Sequence, residues 1–250
     1  MDSTSVQPAI INQPAKGGRF TSRPIYGKFS ILLLGIIIVS ILPHYFEIYK
    51  SSDLVSVSLI VHAILYLGWF ILFAVQSSLS ASGRVSIHKK LGYTSLILFA
   101  LLFISGIQML AVVMGSYDSS WDDWYLHSRA SFVWGILHTL ISFSIFYVLG
   151  VLYRAQLQAH KRFMLMASLS MISASITRVA FLPFIPVDGM AVTLLGTYGL
   201  LVAPMIMDRI IFKGVHPVFK WGVPLYAITQ IVCIGMLPAT EIGRAIAFPF

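Results

Sequence analysis

Charge is what this sequence has least of. Only 10% of its 250 residues are Asp, Glu, Lys or Arg, against a hydrophobic share of 58% and a mean hydropathy of +0.86. A globular surface needs roughly 25% charged residues, so an ordinary solvated fold is excluded. Cysteine is nearly absent as well. The single Cys233 rules out an internal disulfide, and no C-x-x-C-H motif is present to attach a c-type haem covalently. A signal peptide is not expected, because the first apolar stretch follows a polar 28-residue segment and has no persuasive small-residue cleavage site after it.

What the chain does have is long apolar runs. They cover 29–45, 54–79, 91–114, 130–152, 163–184, 190–207 and 223–242, each near the length that crosses a bilayer as a helix at about 1.5 Å per residue. The expected fold is an all-α polytopic transmembrane helical bundle of seven spans: residues 1–28 form a cytoplasmic segment, 29–250 one bundle, and 54–184 a histidine-bearing four-helix core. Phe29 to His44 reads as a retained first helix.

The net charge of +8 resolves into sidedness. With the N-terminus inside, thirteen basic residues fall on the cytoplasmic side, among them Lys16, Arg19, Arg23, Lys28, Arg84, Lys89, Lys90, Lys161 and Lys220. Seven acids, Glu47, Asp53, Asp118, Asp122, Asp123, Asp188 and Glu241, fall outside, leaving Asp2 and Asp208 inside. This follows the positive-inside bias, puts the C-terminus outside, and removes any reason to invoke nucleic acid. Trp121, Trp124, Tyr125, Tyr45 and Tyr49 read as interfacial anchors, and membrane lipids are the expected surroundings. The expected location is the bacterial inner (cytoplasmic) membrane. Oligomeric state has no signature here.

Four of the seven histidines repeat a pattern. His62 and then His88-Lys89-Lys90 recur as His138 and then His160-Lys161-Arg162, with His62 and His138 in the outer parts of spans two and four. His88 and His160 stand at the cytoplasmic entrances of spans three and five. A neutral imidazole can give one nitrogen lone pair to iron while the other nitrogen holds a hydrogen bond. His62 with His138, and His88 with His160, are therefore candidate axial pairs for one or two b-type haems.

Each pair has a plainer alternative. His62 and His138 could pack against Ser58, Ser142 or Ser144, and His88 and His160 could anchor lipid headgroups or cap helices. Arg178 and Arg129 are candidates for propionate binding, with snorkelling the alternative. The same four histidines are candidate ligands for a divalent metal, joined by His127 with Asp118, Asp122 and Asp123 outside, or by Asp208 and His216 inside. The functions left open are membrane electron transfer with a quinone or redox-protein partner, a non-enzymatic assembly or interaction role without cofactor, and a metal-dependent membrane hydrolase. Whether the protein is an enzyme stays open with them.

The elements HKKLGY at His88 to Tyr93 and HKRFM at His160 to Met164 resemble small bacterial multi-helix membrane-protein families of unknown function. The region from Leu54 to Phe184 also resembles the transmembrane diheme cytochrome b family related to ascorbate-dependent reductases. That resemblance implies two haems held by His62 with His138 and by His88 with His160. The chain departs from it in having seven rather than six spans and no ascorbate-site sequence, so the electron donor is not implied.

Overall fold

The computed structural model describes residues 25–50, 56–182 and 185–249. Asp2, Lys16, Arg19, Arg23, Asp53 and the end of the fifth run at Phe184 lie outside them, as do the side chains of His44, Tyr45, Glu47 and Tyr49. The described chain is helical throughout: α1 (Ile25–Lys50), α2 (Val57–Ala81), α3 (Val85–Met114), α4 (Asp123–Leu152), α5 (Leu157–Ser170), α6 (Ser173–Ala180), α7 (Gly189–Phe212), α8 (Pro217–Ile231) and α9 (Glu241–Ala247). Six helical stretches, the last running from Pro217 to Ala239, are long and apolar enough to cross a membrane. The chain is therefore an all-α polytopic membrane protein.

Apart from α2, the helices begin earlier than the apolar runs because polar residues outside an apolar layer keep helical hydrogen bonds. His88 consequently lies inside the first turn of α3 rather than before it. Side-chain caps set several starts: Ser56 for α2, Asp122 for α4 and Asp188 for α7, each accepting from a backbone N–H three residues on. The α2–α3 turn closes at Gly83, whose φ of +74° suits a residue without Cβ.

The fifth apolar run is not one helix. It breaks at Met171 and Ile172 into α5 and α6, bent by 43°. Where lipid excludes water, the carbonyls freed by a break must find donors within the protein. Two buried tyrosines supply them: Tyr66 of α2 donates to the Met171 carbonyl at 2.8 Å, and Tyr226 of α8 to the Ser170 carbonyl at 3.1 Å. Tyr66 Oη also meets Ser175 Oγ at 3.0 Å, and Trp69 Nε1 donates to Ser168 Oγ at 3.2 Å. Ser168, Ser170 and Ser175 are fully buried in this polar seam.

Around α5, the α2–α3 and α4–α5 hairpins stand beside α1, α7 and α8, with α6 wedged against α1 and α7. Trp69, Phe99, Phe143 and Tyr147 interlock between α2, α3 and α4, with Phe99 stacked on Tyr147 at 4.4 Å and Trp69 edge-on to Phe143 at 4.8 Å. Outward-facing residues such as Ile97, Leu195 and Ile210 are exposed, as lipid contact requires. We call the end holding the α2–α3, α4–α5 and α7–α8 turns the basic face, and the opposite end the acidic face.

After α8 the chain makes a π turn at Val232–Met236 and a 3-10 turn at Leu237–Ala239. The ring of Pro238 and its missing N–H disrupt the normal helical ladder there. α9 then folds back on α4: Trp134 Nε1 donates to the Gly243 carbonyl at 2.9 Å, and Arg244 pairs with Asp123. A Cβ at Gly243 would collide with the Leu237 carbonyl oxygen, which is backbone and cannot step aside. Gly243→Ala is expected to cost about 1–3 kcal/mol and lower the melting temperature in detergent. Gly199→Ala, at a site with open space, serves as the unperturbed control.

Candidate functional site at the paired histidines

His88 and His160 meet at the basic face. Each lies in the first turn of the second helix of a hairpin and reaches back to a carbonyl near the end of the first. His88 Nδ1 lies 3.3 Å from the Gln76 carbonyl oxygen, and His160 Nδ1 lies 2.7 Å from that of Gly150. A carbonyl oxygen only accepts, so each Nδ1 carries the proton and each Nε2 is left with a lone pair. The rings are nearly perpendicular, at 81°, with centroids 6.2 Å apart.

Two imidazoles that share a metal centre through nitrogens facing one another have a characteristic separation. Each metal–nitrogen bond is about 2 Å and each nitrogen lies about 1 Å from its ring centre, so facing rings stand about 6 Å apart. The Nδ1–H···O=C bond is also the usual support that fixes the orientation and basicity of a ligating imidazole. One layer inward, Tyr147 Oη and Ser95 Oγ join α4 to α3 at 2.9 Å, and the Trp69, Phe99 and Phe143 rings fill the interior.

His62 and His138 have separate surroundings. The Ser105 hydroxyl donates to the Leu102 carbonyl at 2.9 Å, so it accepts from His62 Nδ1–H at 3.0 Å and leaves a lone pair on Nε2. Thr229 Oγ1 donates to the Leu225 carbonyl at 2.8 Å and accepts from His138 Nε2–H at 3.0 Å. His138 Nδ1 then holds a buried lone pair without a partner. His138 packs on Tyr226 of α8, whereas His62 stacks along its own helix on Tyr66. The structure thus brings the inner histidines into ring contact and gives the outer two different neighbours.

Compared with known proteins, this chain matches no family model, no curated sequence and no solved structure.

The acids of the acidic face hold the fold. Asp122 caps α4, Asp123 binds Arg244, and Asp118 accepts from the Ser120 N–H at 2.8 Å. Among the described residues no three His, Cys, Asp or Glu side chains cluster as a metal site. Arg129 donates to Ser116 Oγ at 2.8 Å and lies against Trp121 and Phe132. Arg178 on α6 is exposed.

A buried ion pair beside His160 was not foreseen. Arg162 binds Asp208 through Nε at 2.8 Å and Nη2 at 2.6 Å, and its Nη1 donates to the Gln158 carbonyl and Oε1. Asp208 also accepts from Tyr26 Oη and the His216 N–H. Arg162 lies against the Tyr26, Phe212 and Phe219 rings, and both charged residues are at least 98% buried. Burial, reinforced by the Arg162 charge, holds the His216 imidazole below the ordinary histidine pKa. Neutral at pH 7, its Nδ1 caps α8 by accepting from the Val218 N–H at 3.2 Å. The available signal was Asp208 itself, an acid at the end of an apolar run. Asp208→Asn is expected to cost about 3–5 kcal/mol by leaving Arg162 unpaired. The Arg162→Met/Asp208→Leu double variant should recover part of that loss in thermal unfolding.

Proposed function

We propose that the protein is a membrane electron-transfer protein that holds a b-type haem between His88 and His160, in a bacterial inner membrane with its N-terminus and basic face inside. Counting α5 and α6 as one bent span gives the seven crossings this orientation requires. The observation that carries the reading is the pair of imidazoles 6.2 Å apart, each presenting an Nε2 lone pair.

Held by His88 and His160, a b-type haem would supply one-electron transfer. The chain's own groups set the conditions. Gln76 and Gly150 fix the imidazole tautomers through their carbonyls, and the aromatic layer inward of them keeps water from the bundle interior. Lys89 and Lys90 are exposed beside the pair, where a docking redox protein or quinone would meet positive charge.

The same carbonyl bonds favour a second reading, an assembly or interaction protein in which the two histidines clasp their hairpins and bind nothing. Spectra separate the two. Protein expressed with ample haem supply and purified in mild detergent should show a reduced-minus-oxidised b-type spectrum with about one haem per chain. His88→Ala and His160→Ala should each abolish it, and His138→Phe should not. A folded wild-type protein without haem would refute the electron-transfer reading and leave the clasp.

A further inference from the structure

A groove runs along the lipid-facing side of α2 where the helix approaches the basic face. Ala74, Val75, Ser78, Leu79 and Ser82 line it together with Arg84 from the α2–α3 turn, around a volume of about 470 Å³. The neighbouring helices flank this side and leave it open. On one flank α1 reaches Ser77 and Ala81, since a Cβ at Gly27 would stand 3.8 Å from the Ser77 carbonyl oxygen and from Ala81 Cβ. On the other, α3 meets Gln76 through His88.

The lining changes character along the helix. Ala74, Val75 and Leu79 form an apolar floor, and about 12 Å of helix separates Ala74 from Ser82 at the mouth. Ser78 and Ser82 give their hydroxyl protons to the Ala74 and Leu79 carbonyls, at 2.8 and 3.2 Å, so Arg84 is the donor of the groove. Arg84 is exposed, and among the described residues it makes no side-chain cap and no ion pair. No Asp or Glu occurs anywhere in residues 54–117, so α2 and α3 hold no counter-charge for it. Lys28, exposed beside Gly27, adds a second cation from α1 at the same level.

An apolar floor with a cationic mouth suits an amphiphile whose head is an anion. A zwitterionic headgroup would bring a cation that finds no acid to receive it. A second copy of the chain packed on this groove by twofold symmetry would set its own Arg84 against this one, like charge to like. We propose that the groove binds an anionic phospholipid, with the phosphodiester on Arg84 and one acyl chain along Ala74, Val75 and Leu79. The α2–α3 turn lies at the end of two spanning helices, the level of the lipid headgroups. The groove shares no lining residue with the inner histidine pair, so the assignment does not depend on the haem reading.

Native mass spectrometry of delipidated protein tests it, with dioleoylphosphatidylglycerol and dioleoylphosphatidylcholine as competing probes. The wild type should bind the glycerol lipid about fivefold more tightly, the value of one basic side chain at an anionic headgroup. Arg84→Gln should remove that preference, whereas Arg154→Gln, on the same face but outside the groove, should keep it. Ser78→Phe, a larger side chain at an exposed lining position, should lower binding of both lipids with no change of charge. Equal wild-type affinity for the two lipids overturns the assignment. So does a preference lost as fully in Arg154→Gln as in Arg84→Gln, which would reduce it to the general charge of the face, or lipid binding that Ser78→Phe leaves intact. A wild-type dimer that Ser78→Phe dissociates would make the occupant a second copy and overturn its identity as a lipid.

Discussion

The grip of Arg162 on Asp208 is the interaction on which the basic half of the bundle depends. Two charges removed from water each carry a penalty of several kcal/mol, recovered only when every donor and acceptor is met. Here they are met from four places: Tyr26 on α1, Gln158 on α5, Asp208 on α7 and the His216 N–H at the entrance to α8. No one of those elements can move without exposing a buried polar group. Because His160 and Arg162 share a turn of α5, the knot that fixes the arginine also fixes the height of the histidine along the helix. The inner pair is thus held from two directions, through its own carbonyl bonds and through the ion pair behind it.

The same scarcity of water explains the centre of the molecule. A break in a spanning helix frees carbonyls that a soluble protein could leave to solvent, and here each needs a side-chain donor. Tyr66 and Tyr226 serve two ends at once: their rings fill the core, and their hydroxyls close the gap between α5 and α6. Tyr66 also links α2 to α6 through its hydrogen bond with Ser175.

Much of the architecture was legible because hydropathy responds directly to lipid. Six of the seven apolar runs correspond to single long helices and the fifth to the bent pair α5 and α6, and the matched placement of His88 and His160 anticipated their contact. What was not legible depends on helix rotation and on partners far along the chain. Lys161 and Arg162 look alike as members of a basic triplet, yet rotation by one residue leaves Lys161 half-buried against Tyr26 and Phe212 and drives Arg162 into the core. The break at Met171 carries no proline or glycine to announce it. It is set by tyrosine hydroxyls about 105 and 56 residues away, which no local pattern reports.

Hydrogen-bond direction, more than proximity, separates the roles of the four patterned histidines. A hydroxyl whose proton is already given to a helix carbonyl can only accept, and a carbonyl can never donate. Each of the four therefore has one nitrogen fixed as donor and the other left as a lone pair. At His88 and His160 the two rings themselves come into contact, with centroids 6.2 Å apart. At His62 the donor nitrogen is committed to Ser105, which leaves Nε2 to accept. Where the lone pair is enclosed by apolar packing, at His138, it leaves a buried acceptor without a donor. Identical side chains, repeated at matching places in two hairpins, thus reach different chemistry through what their second nitrogen meets.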